Sequence, residues 1–219
     1  GVLGPNGAGK TTLMRAGLGL AESAGSISLG GKPLKTLTEV ERASRAGYLP
    51  QERRVAWNLP AWRVAALGAP HQALKMARAK AFATLERLGL SHLAERGVLD
   101  MSGGERAKVL LARLLVTGAP LLVADEPAAG LDPDAQIMIL ERLAQAAGEG
   151  AGVVVTLHDL TLAARHCTRL IVLSAGKIVA NAPPADALSP AILRDVFGLD
   201  GALISSPAGL VLAARRLTA

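Results

Sequence analysis

The sequence predicts an α/β fold built around a parallel sheet. Two short apolar runs, residues 121–124 and residues 153–157, lack the alternation of a half-exposed strand. Such runs are typical of strands buried on both faces. A helical pattern over residues 133–147 separates them. A glycine-rich segment at residues 4–11 fits the pattern G-x-x-x-x-G-K-[ST], which joins a buried strand to a helix.

The glycine-rich segment has the chemistry of a phosphate-binding loop. Gly4, Gly7 and Gly9 let the backbone curl so that several N–H groups point into one concavity, which suits a polyphosphate. Lys10 adds a positive charge for the β- and γ-phosphates, and the Thr11 hydroxyl can bind Mg²⁺. The helix that follows would direct its positive end at the anion. The alternative is a glycine-rich turn before an ordinary helix.

The first half of the chain predicts strands followed by helices. Residues 26–50 indicate short strands and turns, with a helical turn near 38–41. The alanine-rich residues 61–96 favour helices that break near 68–70 and 89–90.

The second half predicts helices, a hairpin and a tail. Ser102 is a plausible N-cap of a helix that reaches about Leu115. Further helices are expected over 160–166 and 190–197, with strands 170–173 and 177–180 as a hairpin. The last helix would stop near Gly198, and the tail from Gly201 is weakly patterned.

Composition limits the classes of protein to consider. The 219 residues, half of them hydrophobic, suit one α/β domain with a sizeable core. Only 2% are aromatic, which argues against a stacking surface for single-stranded nucleic acid. The net charge of +6 comes from scattered basic residues, as on a solvated surface.

No apolar run approaches the roughly 18 residues of a membrane span. The single cysteine, Cys167, excludes an internal disulfide, fits a reducing compartment and is predicted to be a buried small hydrophobe.

An acidic pair closes the first buried strand. Asp125 can hold Mg²⁺, directly or through water, and Glu126 can orient or deprotonate an attacking water. Without the upstream loop, such a pair would be an ordinary strand end.

Three further positions could act on the same chemistry. Residues 102–105 open a helix, where the Ser102 hydroxyl and exposed N–H groups could bind a second anion or simply cap the helix. The Gln51 amide could contact both a metal and a water. His158 follows the second buried strand, where a histidine is either structural or a γ-phosphate ligand.

Together these features resemble the ATP-binding cassette family, the nucleotide-binding subunits of ABC transporters. Six motifs of the family occur in order: Walker A (residues 4–12), the Q-loop (Gln51), the signature (residues 102–105), Walker B (residues 121–126), the D-loop (residues 129–132) and the H-loop (His158). The resemblance implies a P-loop NTPase with a RecA-like core and a parallel sheet. It also implies a partial antiparallel β subdomain near residues 26–50 and a helical subdomain near residues 52–115, all within one ABC ATPase domain over residues 1–219.

The resemblance also implies a role for each motif residue. Two cassettes, as a homodimer or a paired cassette, would enclose two ATP. The Walker A loop would hold the phosphates of one ATP. Its residues are Gly4, Pro5, Asn6, Gly7, Ala8, Gly9, Lys10, Thr11 and Thr12. The signature of the partner subunit would contact the same ATP through Ser102, Gly103, Gly104 and Glu105. Mg²⁺ would lie among Thr11, Gln51 and Asp125, and the catalytic residues would be Glu126, His158 and Gln51. Asp132 would link the two sites across the dimer.

A finer resemblance points to one class of importer. Met101 and Glu105 replace the commoner residues of L-S-G-G-Q, but the Ser-Gly-Gly core is intact. Residues 45–51, 64–68, 102–106 and 196–198 are similar to the class that serves iron–siderophores, haem and vitamin B12. Trp57 and Trp62 follow Gln51, where the family meets its membrane partner, so they either line that interface or pack inside the helical subdomain.

The resemblance implies a peripheral protein on the cytoplasmic face of the membrane. Its partners would be transmembrane permease subunits and, for an importer, a substrate-binding protein, with no nucleic acid expected. The alternatives are an ATPase of another ABC transporter class, a soluble cassette protein acting on nucleic acid or ribosomes, and a binding module without turnover. The family also has β strands and an adenine-stacking aromatic residue upstream of Walker A. We therefore expect that the chain is N-terminally truncated, binding ATP more weakly and folding less stably than a full-length chain.

Overall fold

The computed structural model describes residues 1–52 and 55–217 and divides the chain into two compact units. The first unit is Gly1–Ser23 with Val154–Ala219, and the second is Ala24–Val153. The strands are β1 (Val2–Leu3), β2 (Ser28–Leu29), β3 (Lys32–Pro33), β4 (Ala46–Leu49), β5 (Leu121–Ala124), β6 (Gly152–Val155), β7 (Leu170–Ser174), β8 (Lys177–Ala182), β9 (Leu199–Ser206) and β10 (Gly209–Arg216). The helices are α1 (Lys10–Gly17), α2 (Glu39–Arg45), α3 (Ala61–Ala66), α4 (Leu74–Arg87), α5 (Gly103–Val116), α6 (Pro133–Gly148), α7 (Leu160–His166), α8 (Pro184–Ala187) and α9 (Pro190–Phe197). Short 3-10 turns lie at Leu34–Thr36, Ser91–Leu93 and Val98–Asp100.

The first unit is organised around β1, the strand that leads into the glycine-rich loop. β1 pairs in parallel with β7, and β7 pairs antiparallel with β8. Ala175 and Gly176 both have positive φ, which matches a two-residue hairpin turn and confirms the predicted hairpin. Val2, Ala8 and Leu173 form a buried cluster. The loop therefore begins from a strand that is held in the core.

The tail of the first unit is more ordered than its sequence pattern suggests. α9 ends at Gly198, as predicted, with the glycine in the left-handed conformation. The weak sequence pattern from Gly201 onward predicted no element, yet β9 and β10 form an antiparallel hairpin eight residues long on each side. The Leu212 N–H donates to Thr161 Oγ1 at 3.2 Å, and Arg165 Nε donates to the Leu210 carbonyl at 3.0 Å. These contacts with α7 stabilise a hairpin whose own residues do not alternate clearly.

Cys167 differs from the prediction in its degree of burial. It is only partly buried, because it lies at the C-terminal cap of α7, where the helix gives way to an extended backbone. The expectation of a buried small hydrophobe is therefore wrong in degree.

The second unit contains the parallel strands that carry the acidic pair. β4 pairs in parallel with β5, in the order β4–β5–β6, and β6 contains the boundary between the units. β2 and β3 form a short antiparallel hairpin within residues 26–50, as expected. The helices α3, α4 and α5 contact one another within the range expected for a helical subdomain. α5 supplies much of their core, with Val109, Leu111 and Ala112 fully buried.

The two tryptophans of the second unit have different environments. Trp62 is 8% exposed and stacks on Phe82 with ring centroids 6.0 Å apart. Its Nε1 donates to Glu95 Oε2 at 2.9 Å, and the Arg78 guanidinium lies 5.0 Å from its ring centroid. Trp57 is 72% exposed. Trp62 thus packs inside the helical region, and a partner-facing role remains a prediction for Trp57 alone.

Candidate functional site

The glycine-rich loop connects β1 to α1 through backbone conformations that favour glycine. Gly4, Gly7 and Gly9 have φ angles of 150°, 79° and 97°. A Cβ on Gly4 would lie 2.3 Å from the Leu173 carbonyl oxygen, so this position has no room for a side chain. A Cβ on Gly7 or Gly9 would meet nothing within 4 Å, which leaves open space over the loop. That space and the curled backbone fit a bound phosphate.

Lys10 lies at the start of α1 with its charge held inside the loop. Its Nζ donates to the Gly4 carbonyl at 2.9 Å and to the Pro5 carbonyl at 3.3 Å, and the residue is 6% exposed. The N-cap residue of α1 is Gly9, which offers no side-chain acceptor, unlike the N-caps of α5, α6 and α7. The N–H groups of its first turn are therefore left for another acceptor. A cation and uncapped amides at one helix end form a site for an anion.

His158 follows a short segment that pairs with β1, the strand before the glycine-rich loop. Val2 forms a parallel bridge with Thr156, and the Leu157 N–H donates to the Val2 carbonyl. The two segments run in the same direction, so Gly4 lies two residues after Val2 and His158 lies two residues after Thr156. His158 is exposed, and Asp159 after it caps α7 by accepting the Leu162 N–H at 2.9 Å. The structure therefore brings the backbone of the predicted histidine beside the start of the glycine-rich loop.

The acidic pair lies at the carboxyl end of β5, in the second unit. Asp125 is fully buried and Glu126 is 8% exposed. The Asp125 N–H donates to the Leu49 carbonyl at 2.8 Å, which extends the pairing of β4 with β5. Glu126 has a φ of 50°, a left-handed conformation that a residue with a side chain rarely adopts. Such a conformation costs about 1–3 kcal/mol and occurs most often at functional sites.

Gln51 and Glu126 meet directly. Gln51 Nε2 donates to Glu126 Oε2 at 2.7 Å, because β4 and β5 end side by side. The predicted amide and the predicted base are thus neighbours. Within the second unit, Gln51, Asp125 and Glu126 place amide and carboxylate oxygens at one end of the sheet, and such oxygens are the ligands that Mg²⁺ prefers.

The segment 102–105 begins α5 with a complete capping box. Ser102 Oγ accepts the Glu105 N–H at 3.2 Å, and Glu105 Oε2 accepts the Ser102 N–H at 2.8 Å. The bond from the Ser102 backbone is the main cause that lowers the pKa of Glu105, and the nearby Arg96 adds to it. Ser102 and Gly103 are exposed. Ser102 therefore caps α5, one of the two roles that the sequence left open for it. Because Ser102 and Gly103 are exposed, a second molecule could also reach them.

Asp132 lies close to the same segment. A Cβ on Gly104 would be 3.6 Å from Asp132 Oδ2. Asp132 also caps α6, since its Oδ1 accepts the Ala135 N–H at 2.9 Å. The structure therefore brings the D-loop residue next to the signature within one unit.

The sequence did not reveal one ion pair beside the signature. Arg96 Nη1 lies 4.0 Å from Glu105 Oε1. The eight residues between Arg96 and Glu105 carry no periodic pattern that would pair these two, so only the fold shows this contact.

Residues 1–129 match the family model described as ABC transporter. The chain belongs to the ABC transporter family. The resemblance drawn from the six motifs is thus confirmed. As an ABC ATPase, the protein is an ATP-binding and ATP-hydrolysing enzyme.

Relatives of this ABC ATPase are named as import proteins. It is 40% identical over 230 residues to the hemin import ATP-binding protein HmuV of Bordetella avium, an alignment that covers 99% of this chain and 88% of the relative. It is 36% identical over 214 residues to the cobalamin import ATP-binding protein BtuD of Halobacterium salinarum, which covers 95% of this chain and 54% of that relative.

Solved structures show the same fold. A putative metal-chelate type ABC transporter in an inward-facing conformation matches with a TM-score of 0.82 and 22% identity, covering 99% of this chain and 85% of the other. The cbiO1 protein of Clostridium perfringens matches with a TM-score of 0.76 and 26% identity, covering 85% and 77%. The predicted α/β fold class of a P-loop NTPase is confirmed. Over the described residues, no helix of this ABC ATPase is long and apolar enough to cross a membrane.

Proposed function

We propose that this ABC ATPase powers an importer for haem, an iron–siderophore or cobalamin. The observation that carries the proposal is the 40% identity to a hemin import ATP-binding protein across 99% of the chain. A second relative is named for cobalamin import, which supports the same class of large, chelated cargo. We further propose that residues 1–219 form one ABC ATPase domain, with the helical subdomain at about 52–115.

The phosphates of ATP would bind at the glycine-rich loop. Lys10 would turn its Nζ from the loop carbonyls toward the β- and γ-phosphates, and the uncapped amides of α1 would donate to the same oxygens. The proposed contacts of this loop are Gly4, Pro5, Asn6, Gly7, Ala8, Gly9, Lys10, Thr11 and Thr12. They would hold the reacting phosphate in place without any covalent step.

Mg²⁺ would be held by the oxygen atoms of Thr11, Gln51 and Asp125. When bound, it would neutralise charge on the phosphates and lower the cost of moving the γ-phosphoryl group. The Glu126 carboxylate would accept a proton from the attacking water, and the Gln51 bond at 2.7 Å would hold that carboxylate in one orientation. His158 would hold the γ-phosphate and the water in place.

The active state would be a homodimer or a pair of cassettes. Ser102, Gly103, Gly104 and Glu105 would contact the ATP bound by the partner subunit, and the exposure of Ser102 and Gly103 at the start of α5 supports this. Asp132 would link the two sites through its position beside Gly104. Transmembrane permease subunits, with a substrate-binding protein, would convert closure of the dimer into import. The protein would then lie at the cytoplasmic face of the membrane as a peripheral subunit.

A complementation experiment tests this function. A strain that lacks the gene is given the wild-type chain, Glu126→Gln or the control Glu141→Gln, which alters an exposed acid on α6. Uptake of haem, a ferric siderophore and cobalamin is measured separately. We expect wild type and Glu141→Gln to restore one of the three uptakes and Glu126→Gln to restore none. Full uptake of all three cargoes in the deletion strain would contradict the import role.

A further inference from the structure

We propose that a cavity in the second unit, separate from the ATP site, binds a small molecule that carries a carboxylate or phosphate group through Arg113. The cavity has a volume of about 400 Å³. That size is within the range of small-molecule sites. Its wall includes Tyr48, His71, Gln72, Arg113 and Thr117.

The main evidence is a partly buried positive charge without a counter-charge. Arg113 projects from α5 and is only partly exposed. Over residues 1–52 and 55–217 its guanidinium makes no ion pair or hydrogen bond, and none of the described residues that line the cavity is acidic. Burial in the cavity wall lowers the pKa of Arg113. A charge removed from water in this way is costly unless a partner binds it.

The described residues around the arginine offer further polar groups but no acidic side chain. Gln72 Oε1 is buried, and no donor reaches it from the described part of the chain. The ends of α3 and α5 border the cavity through Leu67 and Thr117, and each helix end carries only about half a negative charge. Arginine has a planar fork of donors that matches the two oxygens of a carboxylate or phosphate. The missing partner is therefore an oxyanion.

The wall of the cavity is held rigidly where it carries the arginine. A Cβ on Gly68 would lie 2.0 Å from the Arg113 carbonyl oxygen, so the end of α3 approaches the backbone of α5 as closely as a glycine allows. The Thr117 hydroxyl donates to the Leu114 carbonyl at 2.7 Å, which ties down the last turn of α5. Arg113 is thus presented from a fixed backbone, which lowers the entropy cost of binding.

A single fluorine signal can report on this cavity. Tyr48 lines it and is the only tyrosine of the sequence. Protein labelled with 3-fluorotyrosine would therefore give one ¹⁹F resonance, and it would come from the wall of this cavity and not from the glycine-rich loop. The probes are sodium succinate and inorganic phosphate, titrated at constant ionic strength against sodium chloride.

We expect a saturable shift of the resonance with succinate or phosphate and none with chloride. Arg113→Gln should weaken the affinity for succinate or phosphate at least about tenfold, because it removes at least one charge-assisted hydrogen bond. Arg87→Gln, which removes an exposed arginine on α4, should leave the affinity unchanged. Lys10→Ala should also leave it unchanged, which separates this site from phosphate binding at the loop.

A second variant keeps the proposal testable if Arg113→Gln does not fold. Ala43 is an exposed residue at the cavity, and Ala43→Trp would fill the space without altering the arginine. It should abolish the saturable shift. The proposal is overturned if neither probe gives a saturable shift, if chloride gives the same shift, or if folded Arg113→Gln or Ala43→Trp binds like wild type.

Discussion

The side chains of Gln51 and Glu126 are joined by a hydrogen bond of 2.7 Å across 75 positions of the sequence. The bond exists because β4 and β5 run in parallel and end side by side, with Leu49 opposite Ala124. Gln51 follows one strand end and Glu126 the other. The contact holds the Glu126 carboxylate in one orientation at the carboxyl end of β5.

Glu126→Gln should nearly abolish ATP hydrolysis and preserve ATP binding. The amide has the shape of the carboxylate but cannot accept a proton, and a general base contributes about 10²–10⁴-fold to a rate. Phosphate release should therefore fall at least about a hundredfold, while the Kd for ATP measured by calorimetry stays within a few-fold of wild type. Size-exclusion chromatography with ATP should show more dimer than wild type.

The control for this variant is Glu141→Gln, which changes the same functional group on the exposed side of α6. It should hydrolyse ATP at the wild-type rate. Unchanged hydrolysis by Glu126→Gln would show that another group activates the water.

Lys10→Ala should weaken nucleotide binding at least about tenfold. The variant removes a charged donor, and hydrogen bonds to charged groups contribute about 1.5–3 kcal/mol. It also removes the bonds from Nζ to the Gly4 and Pro5 carbonyls, so the loop loses an internal tie. Calorimetry with ATP measures the effect. Lys75→Ala, an exposed lysine on α4, is the matched control, and equal affinities of the two variants would refute the assignment.

Trp62→Ala and Trp57→Ala should differ strongly in stability. Trp62 is buried against Phe82 and donates a hydrogen bond to Glu95, so its removal leaves a cavity and breaks that bond. Its loss should lower the free energy of unfolding by about 3 kcal/mol or more. Trp57 is 72% exposed, and its removal should change stability by no more than about 0.5 kcal/mol. Urea denaturation monitored by circular dichroism measures both, and similar midpoints for the two variants would contradict the packing.

Glu105→Gln should lower stability at neutral pH and not in acid. The pKa of Glu105 is lowered in the folded protein from 4.5, chiefly by the Ser102 backbone N–H. A lowered pKa adds stability above pH 4.5, and that stability is lost as the pH falls through the folded-state pKa. Because the carboxylate is exposed to solvent, the difference in Tm should be only about 1 °C at pH 7.

Thermal melts of wild type and Glu105→Gln from pH 7 to pH 3 provide the measurement. The two curves should converge below pH 4.5. Glu41→Gln is a matched comparison, since Glu41 forms the equivalent capping box with Thr38 and its pKa is also lowered. A difference between wild type and Glu105→Gln that grows toward acid pH would contradict the capping role.

Local chemistry let the sequence predict much of this protein. The cap of α5 at Ser102 and the end of α9 at Gly198 were both predicted, because a side-chain acceptor or a glycine marks a helix end within a few residues. The loop at residues 4–11 was recognisable because glycines, a lysine and a hydroxyl must lie at set spacings to hold phosphate. The strand β5 was visible as an apolar run that ends in acidic residues.

The β9–β10 hairpin was not visible, because its stability comes from other elements. Leu212 bonds to Thr161 and the Leu210 carbonyl to Arg165, contacts that no local pattern records. The sequence also did not distinguish Trp57, which is exposed, from Trp62, which is buried, because the exposure of a side chain depends on contacts made only in the fold.

The sequence by itself determined the family, the order of the motifs and the identity of the residues that would handle ATP. Only the tertiary structure decided that Gln51 reaches Glu126 and that Asp132 lies beside Gly104. It also decided that Arg113 lines a cavity in which none of the described lining residues is acidic. The physical reason is that helix caps and loops depend on neighbours in sequence, whereas burial and pairing depend on residues that only folding brings together.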